Sequence, residues 1–406
     1  MKKNQILLAY LNTLTFSCIQ MVLYTTIPYI AEKTGVVTSN IIAAIGIGSL
    51  IFSFMGPFWA AKSDKLGRKK VLSFGMFGLA LSFTLLSCLF LFNDYLPLWS
   101  KISLVFMSRI IYGLLCSSIV PVSQAWQLDL YDKTDHLKIL TRNSMCLNLG
   151  RILGPILILI KKVDFELVIY SATLWGFLLA IFVFFTSSSN HTVRSGLDFK
   201  LIDIIENWKR SIKESIYPIL LAMIFTSFVG ILHSFLGHHL KTVLSISGAD
   251  ATMMFAKIIL VLSFVVVLMQ QVSLYVLKSH WKPRVIIGSF SIVIGTVIMM
   301  KSTTELMIWI SIFFVCIATA LIPPAYLSLT SRSEINTDKT NVFGKKLGLA
   351  SIAHSFGYAV GAGLIAISMK SKLIPESFVV FFVSFSILCV SFLMLRKKEN
   401  SYVKNY

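Results

Sequence analysis

Three basic side chains lie inside long apolar stretches, where a charge is costly. Arg109 and Arg151 lie near the middle of stretches 101–125 and 140–160, and Lys257 lies nearer the start of stretch 251–277. If these stretches cross a membrane, each central charge costs about 2.5–3.5 kcal/mol. Such residues persist where they face a wet cavity or a counter-ion, so together they predict a positively charged binding site.

Acidic side chains do not occur at the same depth. The nearest ones lie close to the ends of the apolar stretches: Glu32, Asp94, Asp164, Glu166, Asp250 and Glu305. A cavity with fixed positive charges and no negative ones favours an anion, and a guanidinium group binds carboxylate or phosphate oxygens bidentately. The pattern predicts a small organic anion as ligand: a polycarboxylate, a siderophore-like carboxylate or a phosphorylated metabolite.

Composition places these residues in a membrane. The chain has 406 residues, 56% of them hydrophobic and 14% charged, and its mean hydropathy is +0.79. These values indicate an all-α polytopic membrane protein. The apolar stretches predict twelve transmembrane helices, at residues 6–31, 40–61, 71–93, 101–125, 140–160, 165–187, 216–240, 251–277, 285–300, 305–330, 346–369 and 376–395.

The chain divides into two related halves, residues 1–187 and 216–406, joined by a linker at 188–215. Gly150-x-x-x-Gly154 in the first half corresponds to Gly357-x-x-x-Gly361 in the second, and Pro121 corresponds to Pro323-Pro324. This recurrence predicts two pseudo-symmetric six-helix bundles. In the linker, apolar residues alternate with basic ones at helical spacing: Leu201, Ile204, Ile205, Trp208 and Ile212. They predict an amphipathic helix on the inner membrane surface, either a strap between the halves or a regulatory segment.

Lysine and arginine residues concentrate on one side of the predicted membrane. They crowd the 62–70 connector, the linker and the C-terminal tail, and they are sparse in the connectors of the other side. Because basic loops stay in the cytoplasm, both termini are predicted to be cytoplasmic in a bacterial inner (plasma) membrane. This asymmetry accounts for the net charge of +19 without a nucleic-acid partner.

The connector between the second and third helices carries a recognisable signature. Asp64-x-x-Gly67-Arg68-Lys69 resembles the loop motif of the major facilitator superfamily at the same position, although Ala60 replaces the glycine usual four residues earlier. Arg109-x-x-x-Gly113 resembles the element that this superfamily places on its fourth helix.

The fifth predicted helix is similar to that of one branch of the superfamily. Gly150-x-x-x-Gly154-Pro155 resembles the first half of a motif of the drug/proton antiporters, but Ile158-Leu159 stands in place of its second glycine pair. Asp129 resembles the aspartate that this branch keeps at the inner end of helix four. The second-half connector, 278–284, lacks the aspartate.

The resemblance implies which helices line a central cavity: the first, fourth, seventh and tenth, flanked by the second, fifth, eighth and eleventh. Every deep ionisable side chain lies on one of these helices: Arg109, Arg151, His233, Lys257 and His354. Uncharged candidates for substrate binding are Gln20, Tyr24 and Gln124, with Asn12 and Asn148 as further polar residues. Alternatives stay open: Arg109 as a structural residue, Lys257 as a snorkelling side chain, and the histidines as packing residues.

Two further roles follow from position. Asp64 and Arg68, with Gly67 as the turn residue, are expected to form an inner-face charge cluster with Asp129 that locks one state of a moving protein. The alternative is that the basic connector sets topology alone. His233 and His354 are candidates for proton coupling because imidazole titrates near neutral pH.

The expected function is secondary transport of a small organic anion by alternating access. A multidrug exporter of the drug/proton antiporter type is the main alternative, and a non-transporting membrane sensor is the other. We expect no enzymatic activity, no cofactor and no bound metal. The expected partners are the anionic substrate, a coupling proton and the lipid bilayer, with the chain working as a monomer.

Overall fold

The computed structural model describes the backbone at residues 2–130, 136–160, 164–186, 201–277, 280–332, 341–371 and 373–396. Side chains are described over the same residues except 2–4, 130, 136–141, 201–215, 330–332 and 341–351. The helices are α1 Lys2–Thr34, α2 Thr38–Leu66, α3 Arg68–Leu91, α4 Leu98–Leu115, α5 Ile119–Leu130, α6 His136–Leu159, α7 Phe165–Phe185, α8 Leu201–Leu244, α9 Gly248–Val276, α10 Trp281–Met300, α11 Glu305–Arg332, α12 Asn341–Ser371 and α13 Glu376–Arg396.

These helices confirm the predicted all-α membrane architecture. Within the described residues, eleven segments are long and apolar enough to cross a membrane, and one of them joins α4 and α5. The remaining predicted span, 140–160, lies in α6. The fold is the predicted one, twelve transmembrane helices in two pseudo-symmetric bundles.

The predicted connector at 62–70 is almost entirely helical, which corrects its extent. Helix α2 continues to Leu66 and α3 begins at Arg68, so Gly67 alone is non-helical. Gly67 has φ +93° and ψ +136°, a backbone conformation that only glycine adopts without steric cost. Asp64 and Arg68 therefore lie on rigid helix ends on either side of a one-residue turn.

The chain forms two compact units. The first comprises residues 1–199 with 246–260, and the second comprises residues 200–245 with 261–406. The start of α9 thus packs with the first unit: the Gly248 N–H donates to Glu32 Oε2 at the end of α1 (2.8 Å). The predicted domain limit at 187 lies in residues 187–200, outside the described residues.

Each unit uses its glycine pair in the same way. In the first unit, Gly150 and Gly154 of α6 lie against the Leu14 and Cys18 carbonyls of α1. In the second, Gly357 and Gly361 of α12 lie against the Met223 and Ser227 carbonyls of α8. In each unit the contacted carbonyls are four residues apart on the helix that opens the half, so the two halves repeat the same packing.

From this packing we predict how two glycine substitutions change the stability of the protein. Gly361→Ala would push a methyl group into the Ser227 carbonyl, so we expect it to lower the free energy of unfolding by about 1–3 kcal/mol. Gly363→Ala on the same helix meets nothing within 4 Å and should be neutral or stabilising, by up to about 1 kcal/mol. Thermal unfolding in detergent measures both, and equal midpoints for the two variants would contradict the packing account.

The fourth span is broken in the middle. A 3₁₀ turn at Cys116–Ser118 separates α4 from α5, because Pro121 has no N–H and its ring crowds the carbonyl four residues earlier. The Trp59 indole donates to the Leu114 carbonyl at 2.6 Å. The break leaves Arg109 on α4 and Asp129 on α5.

The linker is helical where it is described. Helix α8 begins at Leu201 and continues without interruption into the seventh span. The predicted helix therefore exists in the backbone. Its position on the membrane surface depends on side chains 201–215, which lie outside the described set, and stays a prediction.

Candidate functional site

Helix α6 presents Arg151 on a polar, exposed stripe. Ser144, Asn148 and Arg151 are all exposed, and their spacing of four and three residues aligns them on one face of the helix. The exposed apolar side chains of α6 form a different and broader face: Met145, Leu149, Leu153, Ile156 and Leu157. At 3.6 residues per turn the centres of the two faces are about 145° apart.

The two exposed faces of α6 suit different surroundings. An apolar face is stable against lipid, whereas polar groups at membrane depth require protein or a water-filled cavity. The third face, with Gly150, packs on α1. Arg151 therefore stands on the face of α6 that is suited to water.

Arg109 is enclosed within the first unit. Its side chain is 3% exposed. Its Nη2 donates to Ser82 Oγ on α3 at 2.6 Å and to Ser108 Oγ at 2.8 Å. The guanidinium carbon lies 5.6 Å from the Phe83 ring centre and 5.2 Å from that of Tyr112. Hydroxyl groups and aromatic faces thus stabilise this charge in place of a carboxylate.

This enclosure bears on the predicted pairing of Arg109 with Arg151. Helix α4 packs against α2 and α3, whereas α6 packs against α1. In this arrangement Arg109 is enclosed and bonded to two serines, whereas Arg151 is exposed. The structural role considered for Arg109 describes what is observed, and its contact with a ligand stays a prediction.

Three polar candidates lie near the same unit's core. Gln20 Nε2 donates to the Tyr24 hydroxyl at 2.9 Å; Tyr24 is buried, and Gln20 and Gln124 are half-buried. Tyr112, which covers Arg109, also stacks on Phe16 with ring centres 6.0 Å apart. Aromatic packing therefore shields Arg109 on this side.

Lys257 lies on a different kind of face from Arg151. It is exposed on α9, and the residues that align with it, Val261, Phe264 and Leu268, are exposed and apolar. A lysine among lipid-suited side chains snorkels toward the interface. This face supports the snorkelling alternative, and a ligand contact of Lys257 stays a prediction.

The three charged side chains of the predicted cluster are in contact, and its place on the inner face stays a prediction. Arg68 pairs with Asp64 of α2 and, through Nε at 2.8 Å, with Asp129 Oδ2 of α5. Its Nη1 also donates to Ser63 Oγ at 2.6 Å and to the Ala60 carbonyl at 3.3 Å. Arg68 thus joins the ends of α2, α3 and α5. Ala60 contributes only its backbone carbonyl to this cluster. Alanine in place of the glycine usual at this position therefore removes no hydrogen-bond acceptor.

The second unit contains the two histidine candidates. His354 of α12 shares a 2.7 Å hydrogen bond with the Tyr326 hydroxyl of α11. The ring of His233 on α8 lies 5.9 Å from that of Tyr358 on α12. Each histidine therefore lies beside a tyrosine that sequence reasoning did not select.

Sequence reasoning also missed Ser82, Ser108 and Arg284. The serines left no signal, because hydroxyl residues are common in membrane helices and only the fold brings Ser82 to Arg109. The sequence did point to Arg284, because this arginine ends the second-half connector that corresponds to 62–70. The connector lacks the aspartate, but Arg284 still donates from α10 to the Ser273 carbonyl of α9 at 3.1 Å.

The apolar helices and the repeated packing describe a membrane protein of two related bundles. The chain matches the Major Facilitator Superfamily over residues 9–334 and belongs to this family of membrane transporters. It is therefore a multi-pass membrane protein. Among curated proteins, none matches it in sequence.

Solved structures share the whole fold at low sequence identity. A bacterial homolog to the human lysosomal transporter Spinster matches with a TM-score of 0.74 and 14% identity, covering 100% of this chain and 99% of that one. The human organic anion transporter TETRAN matches with a TM-score of 0.67 and 15% identity, covering 97% of this chain and 99% of that one. A D-xylose-proton symporter matches with a TM-score of 0.70 and 16% identity, covering 98% of this chain and 97% of that one.

Proposed function

We propose that this chain is a secondary transporter of small organic anions, rather than an enzyme, in a bacterial inner membrane with both termini cytoplasmic. The observation that carries the proposal is Arg151, an arginine on the polar exposed face of α6. In the span interiors no Asp or Glu occurs. A polycarboxylate, a siderophore-like carboxylate or a phosphorylated metabolite would bring a negative charge to this face.

The two arginines act on an anion in different ways, because one is enclosed and the other is exposed. Arg109 is enclosed and carries its charge in a low-dielectric setting, so it raises the potential without reaching the ligand. Arg151 stands at the surface of the unit and can bind a carboxylate or phosphate with two parallel N–H donors. A cation would meet repulsion from both.

A multidrug exporter is the second candidate, because of the Gly150/Gly154 pattern. In this structure those glycines pack α6 on α1, and Gly357/Gly361 do the same in the second unit. The pattern is therefore accounted for by helix packing common to both halves. It gives no separate support for export of cationic drugs.

Alternating access is the proposed mechanism, with the Arg68 cluster as its inner lock. Charge clusters that tie several helix ends can bias two states by a few kcal/mol, which is enough to change which state dominates. A lock of this kind also favours a transporter over a non-transporting sensor. Proton coupling and a monomeric carrier complete the proposal.

A ligand thermal-shift screen tests the substrate class. Organic anions such as citrate and glycerol 3-phosphate should raise the unfolding midpoint of the purified protein, since a ligand at 100 times its Kd stabilises by about 2.7 kcal/mol. Lipophilic cations should leave it unchanged. Stabilisation by cations alone would favour the exporter instead.

A further inference from the structure

The two halves align residue by residue at their glycine and proline markers. Tyr24 lies ten residues after Leu14, the residue that Gly150 contacts, and His233 lies ten residues after Met223, the residue that Gly357 contacts. This register gives three candidate binding residues of the first half, Tyr24, Gln124 and Arg151, counterparts in the second.

The other two counterparts follow from the same markers. Arg151 directly follows Gly150, and Tyr358 directly follows Gly357. Gln124 is the third residue after Pro121, and Tyr326 is the third after Pro323. The positions that hold Tyr24, Gln124 and Arg151 in the first half thus hold His233, Tyr326 and Tyr358 in the second.

The second unit brings these side chains into one group, which we call the His–Tyr cluster: His233, Tyr326, His354 and Tyr358. His354 and Tyr358 stand on successive turns of α12. The first bonds Tyr326 of α11 at 2.7 Å, and the second lies beside His233 of α8, with ring centres 5.9 Å apart. Three helices thus contribute titratable groups to a single place.

The Tyr326–His354 contact is suited to hold a proton. A neutral imidazole nitrogen accepts a hydrogen bond from the tyrosine hydroxyl, and a protonated one donates to the hydroxyl oxygen. The contact therefore survives both charge states with donor and acceptor exchanged. Tyr326 is 1% exposed, so its ring is fixed by packing, and His354 is half-buried.

Ionisable groups of the neighbouring helices bear on the charge of His354. It shares a hydrogen bond with Tyr326 of α11, and Tyr358, one turn further along α12, lies beside His233 of α8. The remaining ionisable groups of α13 are Glu376 and Arg396 at its ends and the exposed Cys389. In the interior of these spans there is no carboxylate in the sequence, so no fixed negative charge would hold an imidazolium permanently protonated.

We propose that the His–Tyr cluster is the proton-binding site of this transporter. His354 takes a proton from water on one side of the membrane and releases it to water on the other, and Tyr326 is the residue that positions it. The use of this proton in transport rests on the proposed function, whereas proton binding itself does not. The first half would then supply the positive charge for the anion, and the second half the titratable group.

The first test measures protonation without any substrate. In the full-length protein labelled with ¹⁵N-histidine, the signal lost in His354→Asn identifies His354. We expect the His354 signal to change between its neutral and protonated forms as the pH is varied, and we expect Tyr326→Phe to move the midpoint of that change. A His354 signal that keeps one protonation state throughout the pH range in which the protein stays folded would overturn the proposal, as would a midpoint unchanged by Tyr326→Phe.

The second test measures coupling in vesicles, with citrate or glycerol 3-phosphate, whichever gives the larger thermal shift. A gradient of two pH units can drive accumulation of up to about a hundredfold when one proton is coupled. His354→Asn should reduce accumulation to equilibrium and keep exchange of labelled for unlabelled anion. His280→Asn, an exposed histidine outside the cluster, should keep both.

The outcomes separate the two proposals. Gradient-driven accumulation that survives in His354→Asn overturns the proton site, and so does loss of exchange together with accumulation. Absence of anion exchange in the unmodified protein overturns the proposed substrate class. In that case the histidine titration still decides on the proton site.

Discussion

Arg151→Gln is expected to abolish anion exchange while the protein stays folded. Removing a charge-assisted bidentate contact costs about 1.5–3 kcal/mol of binding free energy, which is roughly a ten- to hundredfold loss of affinity. Arg151→Lys should recover only part of it, because a lysine cannot donate from two parallel N–H groups. The measurement is the Kd of citrate or glycerol 3-phosphate together with the exchange rate in vesicles.

Two variants serve as comparisons for this prediction. Arg142→Gln removes the same charge from an exposed position of the same helix, on the side of the apolar exposed face, and should leave affinity unchanged. Arg109→Gln should lower affinity less than Arg151→Gln, since Arg109 is enclosed by Ser82, Ser108 and Tyr112. An anion affinity that depends on Arg109 and not on Arg151 would contradict this assignment.

Asp64→Asn should slow turnover more than it changes substrate affinity. Its side chain is 38% exposed, and pairs at such exposure contribute about 0–1 kcal/mol to folding, so the thermal midpoint should barely move. A change of about 1 kcal/mol is nevertheless enough to shift a two-state equilibrium about fivefold. We expect the variant to favour the inward-open state, seen as faster labelling of single-cysteine probes on the cytoplasmic side.

Further variants serve as controls for the predicted lock of Asp64, Arg68 and Asp129. Asp129→Asn should act in the same direction, and the double variant should be less than additive because both acids bind Arg68. Asp94→Asn removes an exposed aspartate from the α3–α4 connector and should change nothing. If cysteine labelling on both faces is identical in Asp64→Asn and the unmodified protein, the cluster is only a topological signal.

The sequence predicted the architecture because the membrane imposes long apolar helices. Hydropathy located the spans, and the glycine pairs identified the repeat. The extent of the 62–70 connector was wrong, because a single glycine with positive φ turned the chain where nine residues carrying six charges suggested a loop. Charge patterns indicate on which side of the membrane a segment lies, but they do not indicate the residue at which a helix ends.

The site was predictable only in part, for a geometric reason. Depth in the membrane follows from position along a helix, so the sequence placed Arg109 and Arg151 in mid-span, and that depth stays a prediction. The direction of a side chain depends on which neighbour each face meets. Arg109 turned toward Ser82 of α3, and Arg151 toward a polar exposed face; spacing alone could not separate them. The tyrosines beside His233 and His354 become visible in the sequence once the halves are aligned at Gly150 and Gly357.

Exchange of a labelled organic anion in vesicles that contain only this protein tests the central claim most directly. We predict exchange of citrate or glycerol 3-phosphate that is lost in Arg151→Gln and kept in Arg142→Gln. We predict no exchange of a permanent lipophilic cation. Robust cation exchange by the unmodified protein, or anion exchange that persists in Arg151→Gln, would contradict the account.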